Sequence, residues 1–120
     1  KEGAKVVMMG RNPENCLAAE LELGKNAKSI CADASHEGSA ALAIDLCISE
    51  FGDFDGLYHV AGGSGRKFGD GPLHELTLAG WNKTFEINLT GLMLSNQAAI
   101  RKFLALNKGG TILNMGSILG

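Results

Sequence analysis

Glycines are concentrated in the segment His59–Gly71, HVAGGSGRKFGDG, which follows directly on an apolar run. A G-x-x-x-x-G-K-[ST] phosphate loop is excluded because no lysine follows a suitable glycine. The G-x-G-x-x-G pattern also fails, since Phe68 stands in the place of its third glycine. Without a Cβ, glycines at a strand end let the backbone approach a flat ligand closely, a role we assign to Gly62 and Gly63. The other glycines of the segment are interpreted as turn or mobile-loop positions: Gly65, Gly69 and Gly71.

Two polar residues elsewhere could take part in chemistry. Ser117 follows the apolar run 111–115, and a serine at a strand end orients a substrate oxygen but cannot act as the acid by itself. Taken alone, Ser117 fits a turn equally well. Asn88 is unfavourable inside a helix, where an exposed, non-functional asparagine is the alternative. The three histidines have no ligand spacing among themselves, so no metal site is predicted.

Composition excludes several classes of partner. The 120 residues include 11 Lys and Arg against 13 Asp and Glu, so no nucleic-acid-binding surface is predicted. The three cysteines lack C-x-x-C spacing, which argues against a disulfide framework or a zinc site and favours a reducing cytoplasm. No segment approaches the roughly 18 uninterrupted apolar residues of a membrane span. We therefore expect one cytoplasmic globular domain over residues 1–120, with neither nucleic acid nor membrane as a partner.

Strand and helix patterns alternate along the chain. Apolar, β-branched runs predict strands at 4–9, 27–32, 55–61 and 111–115. Helical spacing predicts helices from Asn12 to Gly24, from Ser35 or His36 to Gly52, and from a Thr77 cap to about Gly109. Strands separated by helices form a parallel, doubly wound sheet, so the predicted class is α/β with three layers. Ligands bind beyond the carboxyl ends of such strands, which are the sites considered below.

Five segments carry a resemblance to a known family: GRN, CADAS, DGLYHVAGG, GPLHELTLAGWNKTFEINLTG and GGTILNMGSILG. In order and spacing they resemble the middle of a short-chain dehydrogenase/reductase (SDR), over essentially the whole chain. The resemblance implies a partial Rossmann-type NAD(P)-binding domain at residues 1–120. It also implies an oxidoreductase that transfers hydride between nicotinamide and a carbonyl or secondary alcohol.

Two motifs of that family are not present in the sequence. The glycine-rich turn that opens the family's domain and its Tyr-x-x-x-Lys motif are both missing, so we expect an internal fragment that is inactive alone. The parent is expected to be a homo-oligomer. The family's strand order places the missing first strand between the first and third strands predicted here. We therefore expect either an open slot between those two strands or their direct pairing.

The resemblance assigns the catalytic candidates residue by residue. Ser117 matches the catalytic serine, which hydrogen-bonds the substrate oxygen. Asn88 matches the asparagine that kinks the long helix and holds a water of the proton relay, and Gly91 completes the N-x-x-G match. A non-catalytic dinucleotide-binding sensor or scaffold of the same fold is the alternative. A Tyr-x-x-x-Lys motif beyond Ser117 would favour the enzyme.

The cofactor candidates come from three predicted strand ends. Asp33, with Ala34 beside it, matches the acidic residue that contacts adenine. The end of the family's N-N-A-G motif, which lines the adenosine ribose, falls on three residues: Val60, Ala61 and Gly62. His59 and Val60 replace the two asparagines, so the hydrogen bonds of those side chains must be made by the backbone or lost.

Cofactor preference depends on Gly10 and Arg11. An acidic residue at this strand end binds the ribose of NAD, whereas a nearby arginine pairs with the 2′-phosphate of NADP. Gly10 stands at the acidic position and Arg11 follows. This favours NADP over NAD, with a solvated arginine at a helix start as the alternative.

Overall fold

Parallel strands and helices alternate along residues 2–118, the part of the chain that the computed structural model describes. The strands are β1 (Val6–Gly10), β2 (Ala27–Cys31), β3 (Gly56–His59) and β4 (Thr111–Asn114). The helices are α1 (Pro13–Leu23), α2 (Ser39–Phe51), α3 (Leu78–Phe85) and α4 (Gly91–Ala105), and a π-helical turn, Glu86–Thr90, joins the last two. The predicted α/β class is confirmed.

The four strands form two separate parallel pairs. β1 pairs with β2 from Val6 opposite Ala27 onward, and β3 pairs with β4 from Gly56 opposite Thr111 onward. Within residues 2–118, no hydrogen-bonded ladder joins β1 to β3. A cavity of about 840 Å³ is lined by both strands over their full lengths, and we call it the slot. Of the two arrangements expected from the sequence, the open slot is therefore the one observed.

Chain connectivity places helices on both faces of the strands. β2 lies on the side of β1 away from the slot, and β4 lies on the side of β3 away from it. Right-handed crossovers in these two opposite directions put α1 and α4 on opposite faces, which gives three layers. No helix among residues 2–118 has the length and apolar character needed to cross a membrane.

Local side-chain bonds begin two of the helices as predicted. Asn12 caps α1 by accepting from the backbone of Asn15 at 3.0 Å, and Thr77 caps α3 by accepting from Gly80 at 3.0 Å. The prediction that α2 begins at Ser35 or His36 was wrong, because α2 begins at Ser39.

A turn held by Asp33 delays the start of α2. The Asp33 carboxylate accepts from the backbone N–H of Ser35 at 2.9 Å, and its carbonyl accepts from His36. The preceding Gly38 is left-handed, with φ of 88°, a conformation that glycine adopts without strain.

The main core lies beside the β3–β4 pair. Ile44 of α2, Phe54, and Ala99 and Phe103 of α4 form a buried cluster. The rings of Phe54 and Phe103 stack with centroids 4.9 Å apart. Leu57 of β3 and Ile112 of β4 pack against this cluster, so the core fixes the strand pair that carries the glycine-rich segment.

Candidate cofactor and active site

Residues from three strand ends meet at one edge of the slot. The cavity is lined there by seven of the predicted site residues: Gly10, Arg11, Asp33, Ala34, Val60, Ala61 and Gly62. We call these seven residues the rim. They come together because the carboxyl ends of parallel strands share one edge of a sheet. Gly63, Asn88 and Ser117 lie outside the cavity lining.

A carboxylate and a guanidinium face each other on the β1–β2 side of the rim. The side chain of Arg11 is 71% exposed, and its Nη1 lies 4.0 Å from a carboxylate oxygen of Asp33. Asp33 also accepts from the Ser35 hydroxyl at 2.7 Å. The hydrogen bonds from Ser35 lower the pKa of Asp33, and Arg11 lowers it further, so Asp33 is held as an anion. The rim thus offers a negative charge held by hydrogen bonds and an exposed positive one.

Ser35 is a site residue that the sequence reasoning missed. Its side chain lines the cavity, and its hydroxyl lies 3.3 Å from the carboxylate of Glu86 on the π-helical turn. Glu86 is also paired with Lys83, and hydrogen bonding from Lys83 lowers the pKa of Glu86. Ser35 therefore connects the loop after β2 to the long helix. The Asp-x-Ser spacing, which is typical of an Asx turn, was the signal available in the sequence.

Asn88 clamps the glycine-rich segment. The backbone N–H of Gly63 donates to Asn88 Oδ1 at 2.9 Å, and Asn88 Nδ2 donates to the carbonyls of Gly63 at 2.8 Å and Thr84 at 2.9 Å. A Cβ on Gly62 would stand 2.9 Å from Asn88 Oδ1, closer than real Cβ atoms come. The close backbone approach at Gly62 is therefore made to Asn88 as well as to the cavity.

The π-helical turn Glu86–Thr90 orients the side-chain amide of Asn88. Asn88 lies at its centre, where the resemblance placed a kink. Widening the helix by one residue locally disrupts its regular hydrogen-bond ladder, a change common at functional positions. The Asn88 amide can then reach the glycine segment while still bonding to its own helix.

Ser117 is exposed and lies three residues beyond the end of β4. The strand end is fixed to α4 by reciprocal amide bonds, with Asn96 donating to Asn114 at 2.9 Å and Asn114 donating back at 3.1 Å. The structure therefore places Ser117 beyond the carboxyl end of β4 and outside the cavity lining. The last two residues of the GGTILNMGSILG segment lie outside the described residues.

The sequence profile of the family described as short chain dehydrogenase matches residues 1–120, the whole chain. The chain belongs to the short chain dehydrogenase family.

The curated relatives of this short chain dehydrogenase sequence are longer than the chain itself. It is 35% identical to cis-4-hydroxycyclohexanecarboxylate dehydrogenase of Sinomonas cyclohexanicum, over 100% of this chain and 47% of the relative. It is 30% identical to an inactive 2-(S)-hydroxypropyl-CoM dehydrogenase 2 of Xanthobacter autotrophicus, over 100% of this chain and 50% of the relative. The chain therefore spans about half the length of the curated relatives it matches.

The chain also matches the fold of a solved short chain dehydrogenase. A crystal structure of a short chain dehydrogenase from Bacillus anthracis superposes with a TM-score of 0.85 at 28% identity. The match covers 97% of this chain and 48% of that one. Both strand pairs therefore keep the same mutual placement in a protein about twice as long.

His59 stands where the resemblance places one of the family's two asparagines, and the structure buries its side chain at the slot. His59 is 5% exposed and Ser95 of α4 is 1% exposed, and both line the slot. His59 Nε2 and Ser95 Oγ are buried and without a hydrogen-bond partner among residues 2–118. Leaving a buried polar group unpaired costs about 1–3 kcal/mol. The wall of the slot therefore carries two unmet hydrogen-bonding groups.

Two later glycines of the segment do more than form turns. Gly65 is buried against Thr84, which donates to Asp70 at 2.9 Å. Gly69 has φ of 98° and packs against the cap residue Thr77. These contacts dock residues 65–70 onto α3. Gly65 does form a turn, since its carbonyl accepts from the backbone of Phe68 at 2.8 Å, but it is also a packing position, because a Cβ there would collide with the Thr84 hydroxyl.

Proposed function

We propose that the protein containing this chain is an NAD(P)-dependent oxidoreductase that transfers hydride between nicotinamide and a carbonyl or secondary alcohol. The observation that carries the proposal is the rim, where residues from three strand ends line one cavity. Family membership supports the activity, and the Sinomonas relative, by its name, oxidises a hydroxyl-bearing ring compound.

The residues present fit a phosphorylated dinucleotide. A Cβ on Gly10 would stand 3.1 Å from Cys16 Sγ, so the end of β1 is packed closely there, and the exposed guanidinium of Arg11 suits bidentate pairing with a 2′-phosphate. Asp33 and Ala34 would flank the adenine, and Val60, Ala61, Gly62 and Gly63 would approach the ribose. NADP is therefore favoured over NAD. When bound, the cofactor supplies or accepts the hydride.

Ser117 would hold the substrate oxygen. A neutral hydroxyl at a strand end orients a carbonyl, and its hydrogen bond strengthens as negative charge develops on that oxygen. Asn88 would act in the same site through the backbone it fixes at Gly63, in addition to the water-holding role that the resemblance implies. The acid that completes the reaction would come from a tyrosine beyond this sequence.

We further propose that residues 1–120 form part of a single nucleotide-binding domain of a cytoplasmic homo-oligomer. Exposed apolar side chains recur at helical spacing along the long helix, which supports self-association: Trp81, Phe85, Leu89, Met93, Ile100 and Leu104.

A non-catalytic dinucleotide sensor or scaffold is the second candidate. It is favoured by the Xanthobacter relative described as inactive, which is 30% identical over the whole chain. Such a protein would retain cofactor binding at the rim without turnover.

The decisive experiment is steady-state oxidation of NADPH with a panel of cyclic and acyclic ketones by the whole protein. We expect Ser117→Ala to lower kcat by orders of magnitude with little change in cofactor affinity. Ser49→Ala, at an exposed position of α2, is the matched control and should leave kcat unchanged. NADPH binding without turnover in the unaltered protein would favour the sensor. An undiminished rate in Ser117→Ala would remove Ser117 from the mechanism.

A further inference from the structure

A chain of polar contacts runs from the rim to the long helix. Arg11, which follows β1, lies 4.0 Å from Asp33, which follows β2. Asp33 accepts from the Ser35 hydroxyl at 2.7 Å, and the same hydroxyl lies 3.3 Å from Glu86. Glu86 is in turn paired with Lys83 of α3. The loops after two strands are thereby joined to the start of the π-helical turn.

We propose that Glu86 is a positioning residue for the cofactor site: through Ser35 it holds Asp33 in place against the long helix. The part of the rim around Asp33 is then positioned by the same helix that carries Asn88. Glu86 does not line the cavity, so it acts through Ser35 and not by contact with the ligand. The inference rests on the proposed function, since it assigns Glu86 a task in cofactor binding.

Lys83 orients the carboxylate of Glu86 toward the loop after β2. Lys83 lies three residues before Glu86 and donates to Oε1, the oxygen that faces the Ser35 hydroxyl. Residues three apart lie on one face of a helix, which makes this pairing local to the helix. The Lys83 ammonium also lies 5.6 Å from the centre of the Phe68 ring, in the segment docked onto α3. The acceptor that meets Ser35 is therefore held in place by its own helix and by the segment after β3.

Ser35 can serve both carboxylates because it has two donors. Its backbone N–H donates to Asp33 Oδ1 at 2.9 Å, so Asp33 keeps this bond whichever way the hydroxyl turns. The single hydroxyl hydrogen is shared between Asp33 and Glu86, whose oxygens lie 2.7 and 3.3 Å from Ser35 Oγ. A ligand group that donates to Asp33 would replace the hydroxyl there. The hydroxyl would then turn to Glu86 and tighten the link to the helix.

Close packing holds the same loop at the other end of the π-helical turn. A Cβ on Gly91 would stand 3.3 Å from the carbonyl oxygen of Ala34 and 3.5 Å from Ser35 Cα. The loop after β2 therefore lies directly on the first turn of α4. The π-helical turn is thus attached to this loop at both ends, while its middle residue, Asn88, bonds to the glycine-rich segment.

Positioning and simple electrostatics predict opposite effects of removing Glu86. A carboxylate repels an anionic dinucleotide, so loss of the Glu86 charge alone should tighten binding. Loss of a residue that positions Asp33 should weaken it. Because the adenine is common to NADP and NAD, the loss should be equal for the two cofactors, unlike the loss expected in Arg11→Ala.

The test measures the dissociation constants of NADPH and NADH for variants of the whole protein. Glu86→Ala should raise both constants by about threefold to tenfold, the effect of one hydrogen bond. Glu86→Gln keeps an oxygen that accepts from Ser35 and should leave both constants nearly unchanged. Asp45→Ala is the matched control, because Asp45 accepts from Lys102 of the same long helix at a place outside the slot. It should change neither constant.

Two further readouts separate positioning from a general loss of stability. In the Ser35→Ala background, Glu86→Ala should change neither constant by more than about twofold, because the hydroxyl through which Glu86 acts is already gone. In the protein without cofactor, the backbone amide of Ser35 should exchange its hydrogen faster in Glu86→Ala than in Asp45→Ala, by about threefold to tenfold.

Four results would overturn the positioning role alone. They are unchanged or tighter binding in Glu86→Ala, an equal loss in Glu86→Gln, an undiminished loss in the Ser35→Ala background, and Ser35 exchange that is equal in Glu86→Ala and Asp45→Ala. Failure of the unaltered protein to bind either dinucleotide is a distinct result, which would overturn the proposed function and the positioning role together.

Discussion

The two strand pairs fix their carboxyl-end loops by different chemistry. Beside β1–β2 the loop is held by charge, with Asp33 bonded to Ser35 and lying near Arg11. Beside β3–β4 it is held by neutral amides, with Asn88 bonded to Gly63 and Asn96 to Asn114. Exposed ion pairs contribute little to stability, so the weak pairing of Arg11 with Asp33 leaves these charges available to a ligand. The amide hydrogen bonds beside β3–β4 instead hold the backbone at Gly63 and the end of β4 in place.

Packing follows the same division. The buried cluster around Phe54 and Phe103 adjoins β3 and β4, whereas the helix α1 beside β1–β2 leaves Leu17 and Leu21 exposed. Burial of aromatic surface is the largest single stabilising contribution available to a small domain. The β3–β4 side is therefore the structural support, and the β1–β2 side is the more adaptable one.

The largest expected effect lies in that core. Phe103 is 7% exposed and stacked on Phe54, so Phe103→Ala should lower the free energy of unfolding by about 3–5 kcal/mol. Leu17→Ala on α1, where the side chain is 59% exposed, should stay within about 0.5 kcal/mol. Urea unfolding of the whole protein measures both. Similar losses in the two variants would remove the contrast between the two sides.

The amide clamp should give a smaller effect. Asn88→Ala removes three hydrogen bonds at a partly solvated position and should cost about 1–2 kcal/mol. Asn88→Asp keeps the acceptor for Gly63 but sets a carboxylate oxygen against the carbonyls of Gly63 and Thr84, so it should cost at least as much as Asn88→Ala. Hydrogen exchange at the Gly63 amide gives the local readout. Exchange at that amide that is unchanged in both variants would contradict the clamp.

The charged loop should give the smallest effect, and that effect should disappear in acid. Hydrogen bonds from Ser35 hold the pKa of Asp33 below its ordinary value, so folding gains stability while Asp33 is ionised. That gain is present at neutral pH and is lost as the pH falls below about 4. Asp33→Asn should remove this acid-dependent part, within about 1 kcal/mol. Glu37→Gln, at an exposed position nearby, is the control, and an equal effect there would argue against Asp33.

Features that depend on neighbouring residues were predictable from the sequence. The caps at Asn12 and Thr77 use bonds to backbone three residues away, and the four strands follow from their apolar runs. The start of α2 was misplaced because the Asp33 carboxylate competes for the same backbone that a helix would use.

Features that depend on distant residues were not predictable. The bonds between Asn96 and Asn114 and the contact between Ser35 and Glu86 join residues far apart in the chain, and no local pattern reports them. The same holds for the burial of His59, which a strand pattern alone does not distinguish from an exposed position.

The measurement that tests the account most directly compares the dissociation constants of NADPH and NADH for the whole protein and its Arg11→Ala variant. Losing a charged hydrogen bond to the 2′-phosphate should weaken NADPH binding by about 1.5–3 kcal/mol and leave NADH nearly unchanged. Lys25→Ala, at an exposed position after α1, should change neither constant. Equal losses for both cofactors in Arg11→Ala, or no loss for either, would contradict the assignment of the rim as an NADP site.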